Sequence, residues 1–269
     1  MEYLQAIVYG IVQGITEFLP ISSTAHLRII PAVFGWNDPG AAYSAVIQIG
    51  TVLAVIIYFR RDCASLLRAV FAGLAAKAPF GTPEARMAWY IAAGTLPIGI
   101  CGVAFKRLVE GEARALWVVT LALLVFGIVL LVVEVVATRS KDIGSIGWKE
   151  SQIIGAAQAL ALVPGASRSG VTITAGLLLG LNREAAARFS FLLSIPAVTA
   201  AGLFELRHIL KHGTEGAGLG ALALATAVSF VAGYACIEFL LMFLKTRSTV
   251  PFSIYRIVLA AVVFAALVR

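Results

Sequence analysis

Apolar positions run almost unbroken through six stretches of the chain, at residues 41–59, 87–105, 115–136, 188–206, 219–244 and 252–268. Each approaches the roughly 20 residues that cross a bilayer as helix, so the pattern predicts six transmembrane helices. Two further stretches are apolar but interrupted. Residues 1–35 are broken at Pro20, and residues 151–180 are broken at Pro164-Gly165. Each reads as a helix, a break and a second helix. Irregular backbone survives at membrane depth only where protein buries it or where it lines a polar cavity. Both segments are therefore expected to be re-entrant helical hairpins.

The two interrupted segments also resemble each other. Gly10 and Gln13 answer Gly155 and Gln158, Leu19-Pro20 answers Val163-Pro164, and Ser22-Ser23 answers Ala166-Ser167. Tyr43-Ser44 and Phe189-Ser190 then head two of the long apolar runs. Such self-similarity points to duplication. A single membrane domain over 1–269 is expected, with one half at about 1–137 (hairpin 1–35) and the other at about 150–269 (hairpin 151–181). Three spans per half force the halves to run in opposite directions. The breaks of an inverted repeat can meet near the midplane, where such proteins bind their substrates.

Composition agrees with a membrane protein: 60% of residues are hydrophobic and 13% charged, against about 25% charged in soluble domains. The net charge of +7 is scattered over loops, which argues against nucleic acid. It reports orientation instead. Arg60, Arg61, Arg68, Lys77 and Arg86 form the strongest basic loop, expected in the cytoplasm, and its first part reads as an amphipathic surface helix. Cys63, Cys101 and Cys236 have no metal-ligand spacing, and no disulfide is expected. His208 and His212 are expected to be solvated in a short loop, and Glu134, Glu238 and Arg256 to snorkel or pair helices.

The chemistry sits in the interrupted segments. Gln13 and Glu17 are one helical turn apart, and a carboxylate in hydrocarbon costs at least ~2.5 kcal/mol, so Glu17 must face a cavity, a cation or a partner. Beyond Pro20, Ser22 or Ser23 is placed to cap the next helix, with Thr24 and His26 in its first turn. Pro164-Gly-Ala-Ser-Arg-Ser-Gly170 repeats the arrangement and adds Arg168 between Ser167 and Ser169, with Thr172 a turn beyond. Free amides, a positive helix end and a guanidinium suit phosphate. Gln13 and Glu17 suit a hard divalent cation, Mg²⁺ or Ca²⁺, and Ser22, Ser23 or His26 could attack phosphorus. The central expectation is that Glu17 and Arg168 share one chamber.

Val12-Gln-Gly-Ile-Thr-Glu-Phe-Leu-Pro-Ile-Ser-Ser-Thr-Ala-His26 and Pro164-Gly-Ala-Ser-Arg-Ser-Gly170 resemble the two signature motifs of bacterial undecaprenyl-diphosphate phosphatases, also described as bacitracin-resistance proteins. The likeness extends through Gly94-Thr-Leu-Pro97, Phe189-Ser-Phe-Leu-Leu-Ser-Ile-Pro196 and Pro251-Phe-Ser-Ile-Tyr-Arg-Ile-Val258. It implies a cation-dependent enzyme of the bacterial inner membrane, its site facing outward, that removes the terminal phosphate of a polyprenyl diphosphate for cell-wall synthesis. It makes Glu17 the metal-linked acid, with Gln13 beside it, and Ser23 and His26 the attacking and proton-handling pair. Arg168, Ser167, Ser169 and Thr172 become the diphosphate clamp, to which Ser22, Thr24 and Gly170 add contacts. Gln13 stands at the motif's first acidic position and can coordinate but supplies no charge, and Ala25 stands where glycine is usual. The rival reading is an inverted-repeat transporter or flippase for an anionic substrate, since half-helix ends also hold anions. Expected partners are the lipid substrate and membrane lipid, without nucleic acid; oligomeric state stays open, a homodimer included.

Overall fold

A computed structural model describes residues 3–213 and 218–268. Twelve α-helices appear among the described residues. In order they are α1 (Tyr3–Phe18), α2 (Ser23–Phe34), α3 (Gly40–Tyr58), α4 (Arg60–Ala75), α5 (Pro83–Ala104), α6 (Lys106–Glu110), α7 (Leu116–Val136), α8 (Trp148–Gln158), α9 (Arg168–Leu178), α10 (Arg183–His212), α11 (Leu219–Thr246) and α12 (Val250–Leu267). Six of them, α3, α5, α7, α10, α11 and α12, are long and apolar enough to cross a membrane. The chain is a multi-pass membrane protein.

The side chains are distributed as a bilayer requires. On α7, Trp117, Leu121, Val125, Ile128, Val132 and Val135 form one exposed apolar stripe, while Thr120, Leu123, Gly127, Leu130 and Glu134 point inward. A surface of that kind is stable in acyl chains and unstable in water. With lipid outside, the polar residues gather between helices.

Helix ends follow local chemistry. Thr82 caps α5, with Pro83 supplying the fixed φ of a first helical residue, and Asn182 caps α10 by accepting the Ala185 amide at 2.8 Å. Asn182 starts α10 at Arg183, five residues before the apolar run begins, and the helix carries on to His212. His208 is therefore helical and not in a loop; the side chain of His212 lies outside the described residues. The amphipathic connector is α4, without a buried residue, and it stops before Lys77, which sits in the following turn at φ 53°.

The packing is reciprocal. α1 lies against α11 and α8 against α5, while α3 packs on α10 and α7 on α12. Glycine permits the closest approaches: a Cβ at Gly10 would stand 2.6 Å from the Ala225 carbonyl, and one at Gly155 would stand 2.3 Å from the Gly94 carbonyl. Backbone cannot yield as a side-chain tip can.

Gly155→Ala should therefore lower stability by ~2 kcal/mol, in the range of overpacking substitutions. Gly99→Ala, where the new methyl meets nothing within 4 Å, should leave thermal unfolding in detergent unchanged or slightly raised.

Candidate active site

α1 carries Gln13 and Glu17 on one face, and Gln13 Nε2 donates to Glu17 Oε2 at 2.9 Å. The chain leaves α1 after Phe18, turns through Leu19-Pro20-Ile21 and enters α2, where Ser22 Oγ accepts the Ala25 amide at 3.3 Å. Ser23, the first residue of α2, donates its hydroxyl to Glu17 Oε2 at 2.8 Å. The second break is built the same way. After α8 a single 3₁₀ turn, Ala159–Leu162, leads through Pro164-Gly165 to Ser167, whose Oγ accepts the Gly170 amide at 3.1 Å and opens α9. Both capping serines hold positive φ, 74° at Ser22 and 71° at Ser167, with ψ of 99° and 109°. Non-glycine residues adopt such backbone only when their surroundings impose it, and these strained points concentrate at functional sites.

The two breaks meet. Arg168 Nη2 donates to Glu17 Oε1 at 2.9 Å, and its Nη1 to the Ser190 carbonyl at 3.2 Å. Ser169 Oγ donates to the Leu19 carbonyl at 3.1 Å, a direct bond from one break to the other. Thr172 Oγ1 lies 2.6 Å from Ser190 Oγ and ties α9 to α10. Glu17 is 6% exposed and Gln13 fully buried. Gln13 Oε1 and Arg168 Nε are among the polar atoms buried here with no hydrogen-bond partner. One is a spare acceptor and the other a spare donor, and leaving both unmade costs ~1–3 kcal/mol each. The N-termini of α2 and α9, the positive ends of those helices, lie beside these groups.

The remaining sequence-predicted residues fall at different distances from that pair. His26 does not bond Ser23: its Nδ1 faces the Ser22 carbonyl at 2.7 Å and its Nε2 the Tyr255 hydroxyl at 2.7 Å. A carbonyl only accepts, so the Nδ1 carries the proton and Nε2 takes the Tyr255 hydrogen bond in the neutral ring. The two rings stack with planes 6° apart. Thr24 is half-buried with no side-chain hydrogen bond to the cluster among the described residues. Gly170 gives the second cap the room it needs, since a Cβ there would lie 3.0 Å from Ser167 Cβ.

The family model described as bacitracin resistance protein BacA matches residues 6–262. The chain belongs to the BacA family. It is 56% identical over 267 residues to an undecaprenyl-diphosphatase of Myxococcus xanthus, covering 99% of this chain and 90% of that protein. A protein of the same name from Chlorobium phaeobacteroides is 53% identical over 267 residues, with 96% and 95% covered. One from Chloroherpeton thalassium is 50% identical over 275 residues, with 99% and 97% covered.

The donors around Glu17 bear on the divalent cation expected from the sequence. Among the described residues no three His, Cys, Asp or Glu side chains cluster as a ready metal site. What is present is all oxygen: the Glu17 carboxylate and the unpartnered Gln13 Oε1. That sparse set of hard oxygen donors is of the kind Mg²⁺ or Ca²⁺ accepts.

Three side chains mattered more than the sequence reading allowed. Tyr255, part of the Pro251–Val258 stretch, holds His26 through its hydroxyl. Arg256, expected to snorkel or pair helices, is fully buried. Ser190 supplies its carbonyl to Arg168 and its hydroxyl to Thr172. The available signal for the first two was a polar dipeptide inside an apolar span. Glu134 does pair helices: it joins α7 to Arg183 of α10 and to Thr249 at the head of α12. Glu238 hydrogen-bonds Tyr58.

Removing one partner of a buried ion pair leaves an uncompensated charge. Arg168→Gln should destabilise the protein by ~3 kcal/mol. The Glu17→Gln/Arg168→Gln double variant should lose clearly less than the sum of the two single changes, measured by thermal unfolding in detergent.

Proposed function

We propose that this protein hydrolyses undecaprenyl diphosphate to undecaprenyl phosphate and inorganic phosphate, returning the lipid carrier to cell-wall synthesis and so conferring bacitracin resistance. The observation that carries the reading is the junction of the two breaks, where Ser23, Glu17 and Arg168 form one hydrogen-bonded chain. The shared name of the BacA relatives points to the same substrate.

In this reading the terminal phosphate lies between the N-termini of α2 and α9. Arg168 turns from Glu17 toward the phosphate, offering its spare Nε and its fork. Ser23 Oγ attacks the terminal phosphorus while its proton passes to Glu17 Oε2, already its hydrogen-bond acceptor. The bond to the bridging oxygen breaks, and prenyl monophosphate leaves with the electron pair. Water then cleaves the phosphoserine bond, and free phosphate departs as Ser23 recovers a proton. His26, oriented by Ser22 and Tyr255, offers Nε2 as the base for that water. A divalent cation held by Glu17 and Gln13 would neutralise charge on the phosphate oxygens. Ser22, Ser167, Ser169, Gly170, Thr24 and Thr172 shape the cradle.

The two broken segments are read as re-entrant hairpins of an inverted repeat, with halves at about 1–137 and 150–269. Reciprocal packing of α1 on α11 and α8 on α5 supports this. So do the matched strained serines, which share one residue offset with the pairs Gly10/Gly155 and Gln13/Gln158. That offset pairs Ser22, and not Ser23, with Ser167. With the basic α3–α5 connection in the cytoplasm, the site of a bacterial inner-membrane protein opens outward. A transporter has no use for a nucleophile hydrogen-bonded to a buried carboxylate, which favours the enzyme.

Purified protein in detergent should release phosphate from a long-chain prenyl diphosphate. EDTA should stop it and added Mg²⁺ or Ca²⁺ restore it; no release with either cation, together with lipid movement in liposomes, would favour the transporter. Arg168→Ala and Ser23→Ala should each lower kcat by ~10³-fold, read as phosphate release per folded protein.

A further inference from the structure

We infer that Arg256 is the positioning residue of the site, a single guanidinium that holds both helix breaks in one register. Its side chain, on the second turn of α12, is fully buried. Nη1 donates to the Pro20 carbonyl at 3.4 Å, in the first break. Nη2 donates to the carbonyls of Gly165 at 3.1 Å and Ala166 at 2.9 Å, in the second break, and to that of Ala122 on α7 at 3.4 Å. Each of those break carbonyls lies one or two residues before a strained capping serine, Ser22 or Ser167.

A break in a membrane helix frees carbonyls that lipid cannot satisfy, and each needs a donor. One planar fork supplies donors to both breaks at once, which a lysine ammonium cannot do with the same fixed angles. The fold makes room for it: a Cβ on Gly170 would stand 2.8 Å from Arg256 Nη1, and one on Gly127 would stand 3.1 Å from Arg256 Cβ. No carboxylate pairs with Arg256 among the described residues, so its charge is compensated only by carbonyl dipoles. Arg256 thus acts on the reaction through the breaks: it fixes where the amides of α2 and α9 point, and hence where Ser23 and Arg168 stand relative to Glu17.

This rests on the phosphatase reading for its catalytic consequence, so the test pairs activity with a measurement that needs none. In Arg256→Lys and Arg256→Gln, amide hydrogen exchange should quicken at least ~10-fold in residues 20–25 and in residues 165–170 together, while α3 and α10 keep their protection. Phosphate release should fall at least ~30-fold in kcat for the lysine variant, with KM within about threefold of the parent. Exchange that quickens in one break only, or in neither, overturns the inference. So does a lysine variant with kcat within about threefold of the parent. Loss of the folded bundle in both variants would overturn it as well, because fold stability is assigned here to helix packing. An inactive parent protein whose two breaks still loosen together in the variants would sink the phosphatase reading and leave the positioning role standing.

Discussion

A carboxylate buried in a membrane protein cannot stand alone, and the ion pair between Glu17 and Arg168 is the constraint from which the rest of the structure follows. Desolvating each ion costs several kcal/mol, and only a partner at hydrogen-bond distance offsets that loss. The two residues belong to segments far apart in sequence. Bringing them together requires both segments to stop short as helices, so that their ends face each other instead of passing by. The prolines, the two serine caps and the glycines against α5 and α11 all serve that one meeting.

The same constraint shapes the proposed site. A helix that begins inside a bundle presents amides its own turns cannot satisfy, and two such ends converge here with the Arg168 guanidinium beside them. Ser23 is held on the carboxylate by a hydrogen bond that already points its proton toward an acceptor. Gln13 Oε1 and Arg168 Nε are left without a hydrogen-bond partner at the same place. Strain at Ser22 and Ser167 is tolerated because buried carbonyls around both breaks are gripped from α12.

Much of this was legible in the sequence, for identifiable reasons. Spans show because lipid demands long apolar runs, and the breaks show because proline removes an amide and glycine admits positive φ, as at Gly165. Glu17 and Arg168 stood out because charge is rare in such a chain. The depth of Arg256 was not legible, since a snorkelling arginine and a buried one look alike until tertiary packing places them. The Tyr255–His26 contact joins opposite ends of the chain, which no local pattern encodes. The proposed repeat matches by residue type only to within one position, and the positive φ shared by Ser22 and Ser167 favours that pairing. α10 outran its apolar core because its start is set by the Asn182 cap and not by hydropathy.

The meeting of the two breaks is tested most directly by thiol cross-linking in native membranes. Cysteines would replace Glu17 and Arg168 in a chain with Cys63, Cys101 and Cys236 removed, and a short bifunctional reagent would be applied. The account predicts an intramolecular cross-link within a single chain, as efficient as that of a control pair at Ala45 and Gly202 across α3 and α10. Efficient linking of the control pair with none between positions 17 and 168 would contradict it.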